Sequence, residues 1–431
     1  MSILFKNAEI ITGTEPDFVI RGGYVAVEGE RITEVSRGLP SGSFDRVIDC
    51  KDKVLMPGLY NAHNHIPMTL LRGYAEELPL ERWLNERIFP AEERLTGEYC
   101  YWAAQLSAAE MLASGTVSCT DMYYFSGDIA RAVEQSGMKA NIARSLSCFD
   151  EVDYDDEGRL DDALSVYREC NGIGGGRIKI DMSIHSVYTT NEGYVRRVGE
   201  RLSDVDCIIQ CHLSETKTEV DNCIAKYSRT PARVFYDAGL FKKPCSAAHC
   251  VWLSDEDMDI LAENGVFAVH NPTSNLKLAS GIADVPKMLQ KGIRVAIGTD
   301  GCASNNNMNM FEEMHLAALL PKGIRLDPTA MPAKQVISMA TAAGALSQGR
   351  EDCGYIKAGA RADIIMLDFD KPHLIPDHDP VFNVVYSAQG SDVAMTMVDG
   401  KILYENGQYR TIDMEKVKFN AQAAYHGMTG K

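Results

Sequence analysis

From about residue 54 onward, short apolar runs alternate with stretches of helical period. The runs are Val54–Leu59, Gly115–Cys119, Lys139–Ala143, Arg177–Met182, Cys207–Cys211, Cys245–Ala248, Gly265–Val269 and Val295–Thr299. Runs of this length, apolar on both alternating faces, predict strands covered on two sides. Tyr99–Ala113 and Asn191–Arg201 predict helices between them. Eight β units alternating with α over residues 56–360 predict an α/β fold, a (β/α)8 barrel.

The chain ends read differently. Ile3–Ile11 and Gly23–Val27 are β-rich runs separated by turn residues, and Ala362–Asp368, Val393–Val398 and Lys401–Tyr404 resume that texture. Asp399-Gly400 marks a hairpin turn between the last two. Two distant β segments flanking a different middle predict one accessory β-sandwich, made from residues 1–55 and 361–431.

Chemistry concentrates where the barrel strands should end. His63 and His65, in Leu59-Tyr60-Asn61-Ala62-His63-Asn64-His65, stand two apart, so in a strand both face one side. His212, His249 and Asp300 each follow a later apolar run. His63, His65, His212 and Asp300 offer three neutral nitrogens and a carboxylate. That donor set suits zinc, with iron, manganese or cobalt as the other candidates. Such a metal lowers the pKa of a water to roughly 7. Asp300 can take that water's proton, Glu215 can protonate a ring nitrogen of a substrate, and His249 can hydrogen-bond the developing oxyanion. His270, closing the seventh run, is expected to have a structural or pocket-wall role rather than to bind the metal. Lys179 lies too early in the fourth run to bridge two metals, so one divalent ion per chain is expected.

Composition narrows the partners. The 431 residues carry a formal net charge of −17 and no Lys/Arg cluster, which excludes a nucleic-acid polymer partner. No apolar run approaches the roughly 18 residues of a membrane span, and the N-terminus lacks a signal-peptide stretch. A cytoplasmic protein without membrane association is expected. The twelve cysteines include no Cys-X2-Cys pair and read as reduced thiols. Cys211 and Cys250 adjoin His212 and His249, and strand alternation predicts that they face away from the site.

The motifs resemble those of the amidohydrolase superfamily. The matching stretches are Val54–His65, Met68–Gly73, Ala248–Val251, His270–Leu278 and Gly298–Asn306. The resemblance covers nearly the whole chain and is strongest to the branch that deaminates 5′-methylthioadenosine and S-adenosylhomocysteine. It implies a metal-dependent deaminase that converts such adenosine derivatives to inosine derivatives plus ammonia. It assigns the roles given above to the metal ligands, Glu215 and His249, and it implies a homo-oligomer.

Further positions follow from the same resemblance. Trp83 would pack on the nucleoside, Glu92 would accept from the ribose hydroxyls, His185 would contact the purine, and Ser304 would line the substrate site. Arg144 and Arg159 would meet an amino-acid carboxylate. The acidic loop Ser147–Glu157 differs in length from relatives. Two alternatives stand beside this reading: another aromatic-base deaminase or a triazine-type chlorohydrolase on the same metal core, and a catalytically silent binding barrel.

Overall fold

The computed structural model describes residues 1–148 and 158–430. Residues 149–157 of the acidic loop lie outside the described residues. Eight parallel strands form the barrel in chain order: Leu59–Asn64, Thr116–Tyr123, Lys139–Arg144, Ile178–Ile184, Ile209–Leu213, Cys245–His249, Phe267–His270 and Arg294–Ile297. Almost every residue in them is buried, because helices cover the outside and side chains fill the centre.

Strands one and eight close the ring without a regular ladder. The Asp300 N–H donates to the His63 carbonyl at 3.0 Å. The Asn61 amide replaces the missing rungs, accepting from the Thr299 N–H at 3.0 Å and donating to Thr299 Oγ1 at 2.7 Å. Gly298 makes this approach possible, since a Cβ there would lie 2.8 Å from the His63 nitrogen.

The run Val54–Leu59 is not one barrel strand. Lys53–Pro57 pairs antiparallel with Ile364–Asp368 and parallel with Ser2–Ile11, so it belongs to the accessory sheet. Gly58 breaks the run, and Leu59–Asn64 starts the barrel. A Cβ at Gly58 would sit 2.3 Å from a Val117 methyl, so only glycine lets the chain turn against strand two. Periodicity alone could not divide this stretch, because both halves are fully apolar.

Hydrogen bonding links nine accessory strands into one sheet drawn from both chain ends. Its inward side chains, among them Ile3, Phe5, Val25, Leu55, Ile364 and Met395, form an apolar core separate from that of the barrel. Other residues of the same strands, among them Ile11, Val54, Met56, Ile365 and Leu367, belong to the barrel's core instead. The end segment is not all sheet, however. The last helix, Met414–Thr429, packs on the barrel helix Gly97–Ala113. A buried cluster joins the two units: Lys139 Nζ lies 2.5 Å from Asp363 and 2.8 Å from Asp399, and the Tyr60 hydroxyl donates to Asp363.

Candidate active site

The C-terminal ends of strands one, five, six and eight converge on one buried point. His63 lies within strand one, and His65 is the first residue past it, capping the turn Ile66–Leu71. Their rings stand 4.9 Å apart. Nε2 of each lies 3.3 Å from Asp300 Oδ1, and His65 Nε2 lies 3.2 Å from His212 Nε2. The ring nitrogens facing outward are committed to backbone carbonyls. His65 Nδ1 donates to Met122 at 2.6 Å and His212 Nδ1 to His185 at 2.7 Å. These bonds fix the tautomers that leave the Nε2 lone pairs facing one another.

Lone pairs gathered at such distances repel unless a cation lies among them. His63 Nε2 is buried without a hydrogen-bond donor, which is the orphaned atom a metal would satisfy. Burial pushes the imidazole pKa of His63 down to about 4, and lowers those of His65 and His212. The three rings are therefore held neutral, as ligation requires. Burial would raise the Asp300 carboxyl, but the surrounding His63, His65 and His249 rings outweigh it and hold the group well below the usual range. Three neutral nitrogens and one carboxylate fit a divalent cation.

His249 ends strand six across the site from these groups. Its Nδ1–H donates to Asn275 Oδ1 at 2.8 Å, and its Nε2 lies 3.9 Å from Glu215 Oε2. Burial works against its cationic form, yet Glu215 and Asp300 outweigh this and raise its pKa. Glu215, just past strand five, accepts from the Ser280 hydroxyl at 3.2 Å, and burial raises its pKa. The backbone is held in the left-handed region at His249 (φ 73°) and Asp300 (φ 60°). Such conformations survive only where the surroundings fix them.

The expected substrate residues fall into two groups. Trp83, Glu92, His185 and Ser304 line the inner cavity together with Glu215, His249 and Asp300. Glu92 accepts from the Tyr123 hydroxyl, and burial lifts its pKa to about 7. His185 Nδ1 faces Thr189 Oγ1 at 3.0 Å. The Ser304 hydroxyl donates to Asp300 Oδ2 at 2.8 Å, so it supports the aspartate as well as lining the wall. Arg144 and Arg159 line a wider outer cavity that shares Phe89, Glu92, Tyr124, Ser145 and His185 with the inner one.

His270 stays out of the histidine cluster, buried with its pKa lowered to about 4 by desolvation. Lys179 donates to the carbonyls of Gln348 and Gly349 at 3.2 and 2.7 Å. It opens strand four, and His185 follows that strand's far end, about 20 Å away at strand rise. Cys211 and Cys250 are packed in the apolar core.

Sequence reading missed four supporting residues. Ser274 donates to Asp300 Oδ2 at 2.6 Å, Asn275 orients His249, and Ser280 holds Glu215. Glu219 accepts from the Ser214 and Glu215 N–H groups at 3.2 and 2.7 Å. Ser274 and Asn275 fall inside the motif His270–Leu278, and Thr216-x-x-Glu219 is a capping-box spacing. Ser280 carried no signal.

A (β/α)8 barrel with such a donor set at its strand ends is arranged for metal-assisted hydrolysis. The chain belongs to the amidohydrolase family, whose model matches residues 54–403. It is 45% identical to a 5-methylthioadenosine/S-adenosylhomocysteine deaminase of Acetivibrio thermocellus, an alignment covering 98% of each chain. It is 42% identical to a 5′-deoxyadenosine deaminase of Methanothermobacter thermautotrophicus, over 100% of this chain and 99% of that one. Among solved structures, a zinc-bound adenosine deaminase from Xanthomonas campestris superposes with a TM-score of 0.93 at 30% identity, covering 100% and 99% of the two chains.

Proposed function

We propose that this protein is a metal-dependent hydrolytic deaminase that converts 5′-methylthioadenosine, S-adenosylhomocysteine or adenosine to the inosine derivative and ammonia. The observation that carries the reading is the buried triad of Glu215, His249 and Asp300 facing one cavity beside the metal ligands. The names of the full-length relatives point to the same substrates. They do not favour a free-base deaminase or a triazine hydrolase.

His63, His65, His212 and Asp300 would hold one divalent ion, with zinc the expected metal. When bound it supplies Lewis acidity and a water ionised near neutral pH. The remaining chemistry belongs to the side chains. Glu215, whose pKa burial raises, donates to the purine N1 and makes C6 electrophilic. His249, its Nδ1–H anchored on Asn275, presents Nε2 to the oxygen that develops charge at C6. The Asp300 carboxylate, steadied by Ser274 and Ser304, accepts a proton from the attacking water. Asp300 then passes that proton to the departing amine, the C6 hydroxyl returns a proton to Glu215 as the carbonyl forms, and ammonia leaves.

Around this centre, Trp83 would cover the nucleoside, His185 would meet the purine and Glu92 would accept from the ribose hydroxyls. Arg144 and Arg159 would hold a carboxylate in the outer cavity. No helix among the described residues is long and apolar enough to cross a membrane. A cytoplasmic homo-oligomer remains part of this proposal, supported by exposed apolar residues such as Leu326, Phe382 and Phe419.

The test is ammonia release from a panel of nucleosides and free bases with zinc or manganese supplied. Turnover of adenosine derivatives is expected. Turnover of free bases with none of ribosides would overturn the reading.

A further inference from the structure

His249 and Glu215 are both steadied from one short stretch of chain. After strand seven the helix Pro272–Lys277 leads into a loop that passes Ser280 and Gly281. Asn275 holds the His249 ring, Leu278 lines the inner cavity, and the Ser280 hydroxyl donates to Glu215. The Ser280 N–H donates to the Asn275 carbonyl at 2.8 Å and draws the loop tight. A side chain from another element reaches the same residue: the Trp252 indole N–H donates to the Ser280 carbonyl at 2.7 Å.

Trp252 follows strand six, three residues past His249. The chain turns there through the left-handed residues His249 (φ 73°) and Cys250 (φ 51°). The N–H groups of Val251 and Trp252 then both donate to the Ser214 carbonyl, at 3.1 and 2.9 Å. Ser214 is the residue before Glu215, and it is left-handed as well (φ 49°). Trp252 therefore meets the setting of Glu215 twice. Its main chain fixes the residue preceding the acid, and its indole fixes the residue whose hydroxyl the acid accepts.

Packing does not account for this tryptophan. It is 41% exposed, whereas a ring kept for the core would be covered. The loop is shaped around the N–H instead. Gly281 has φ 128°, and a Cβ there would lie 2.9 Å from a Val251 methyl and 3.3 Å from the indole nitrogen. Glycine at this place lets the Ser280 carbonyl come up to the indole.

Resting on the function proposed above, we infer that Trp252 is a positioning residue for the proton donor. Its indole N–H anchors Ser280, and Ser280 keeps the Glu215 carboxyl aimed into the inner cavity. Trp252 itself lies outside the lining of that cavity. Its effect passes through Ser280, so its loss slows the chemical step and leaves substrate binding intact.

A double-mutant cycle in the metal-replete protein tests this, read as ammonia release from adenosine. Trp252→Phe keeps an aromatic ring and removes the N–H. It should lower kcat by about three- to tenfold, the range of one neutral hydrogen bond, with KM and metal content unchanged. Ser280→Ala should lower kcat at least as far. In the Ser280→Ala background, Trp252→Phe should cost nothing more, because the link is already cut; independent effects would multiply. If Trp252→Phe does not fold, 3-benzothienylalanine placed at position 252 exchanges the N–H for sulfur at constant ring size and should give the same loss. Multiplying losses, a rise in KM as large as the fall in kcat, or unchanged turnover once the N–H is gone would each overturn the inference and leave the deaminase reading standing. A wild-type protein that releases ammonia from no adenosine derivative would overturn both.

Discussion

Asp300 and His63 are joined twice. The Asp300 N–H donates to the His63 carbonyl at 3.0 Å, and the Asp300 Oδ1 lies 3.3 Å from His63 Nε2. The first contact closes the barrel and the second builds the ligand set. The seam of the fold and the metal centre are thus one joint, and metal affinity should be coupled to barrel stability.

Removal of metal tests that coupling. Active protein should contain about one divalent ion per chain, and chelation should abolish activity and lower Tm by several degrees. An ion present at a thousand times its Kd contributes about 4 kcal/mol. Elemental analysis and thermal melts before and after refilling check this. A content near two ions per chain would contradict the mononuclear site.

Glu215→Gln should keep the metal and lose the chemistry. The amide preserves size but cannot deliver a proton, so kcat should fall at least about a hundredfold. Metal content should match the wild type. Near-normal turnover in the metal-replete variant would remove Glu215 from the mechanism.

Asn275→Ala addresses orientation. Without the Asn275 oxygen, the His249 Nδ1–H loses its 2.8 Å acceptor and the ring can rotate or change tautomer. A hydrogen bond of about 1.4 kcal/mol corresponds to a tenfold change, so kcat should drop by at least about that factor with KM little altered. Equal losses in both parameters would indicate a damaged pocket instead.

Glu92 should decide how ribosides are told from deoxyribosides. Glu92→Ala should lower kcat/KM for adenosine by about tenfold or more, and that for 2′,3′-dideoxyadenosine much less. If both fall together, Glu92 supports the Tyr123 wall rather than the sugar.

Stability should decline between pH 6.5 and 8. Burial lifts Glu92 and Glu219 to about 7, and Asp121 and Glu313 to about 8. The native state therefore keeps protons that the unfolded chain, with ordinary carboxyls, has already lost. Their stabilisation is complete below the unfolded carboxyl range and is lost as pH rises through the folded values. The depressed histidines act in the opposite sense, but their contribution is complete above the ordinary value of 6.5. The slope is up to about 1.4 kcal/mol per pH unit for each proton retained. Urea midpoints at the two pH values should show the fall, and Asp121→Asn or Glu313→Gln should flatten it.

Local pattern determined much of this protein. Eight apolar runs mark the barrel strands, because a strand covered on both faces must be apolar throughout. The β-rich ends mark the accessory sheet. His63, His65, His212, His249, Asp300 and Glu215 stand out because each follows or closes such a run, which is where a barrel exposes its chemistry. Tertiary structure decided what depends on partners far apart in the chain. Val54–Leu59 is divided between two sheets at Gly58 by the strands that pair with each half, and nothing in its own residues records those partners. The last helix is committed to the barrel by packing against Gly97–Ala113. Ser304 and Ser274 are turned onto Asp300, Ser280 onto Glu215 and Asp162 onto Arg144 by loops that meet only in three dimensions. Hydrogen bonds and ion pairs are short-ranged and directional, so a sequence can name the groups able to form them, while the assembled fold chooses which of them meet.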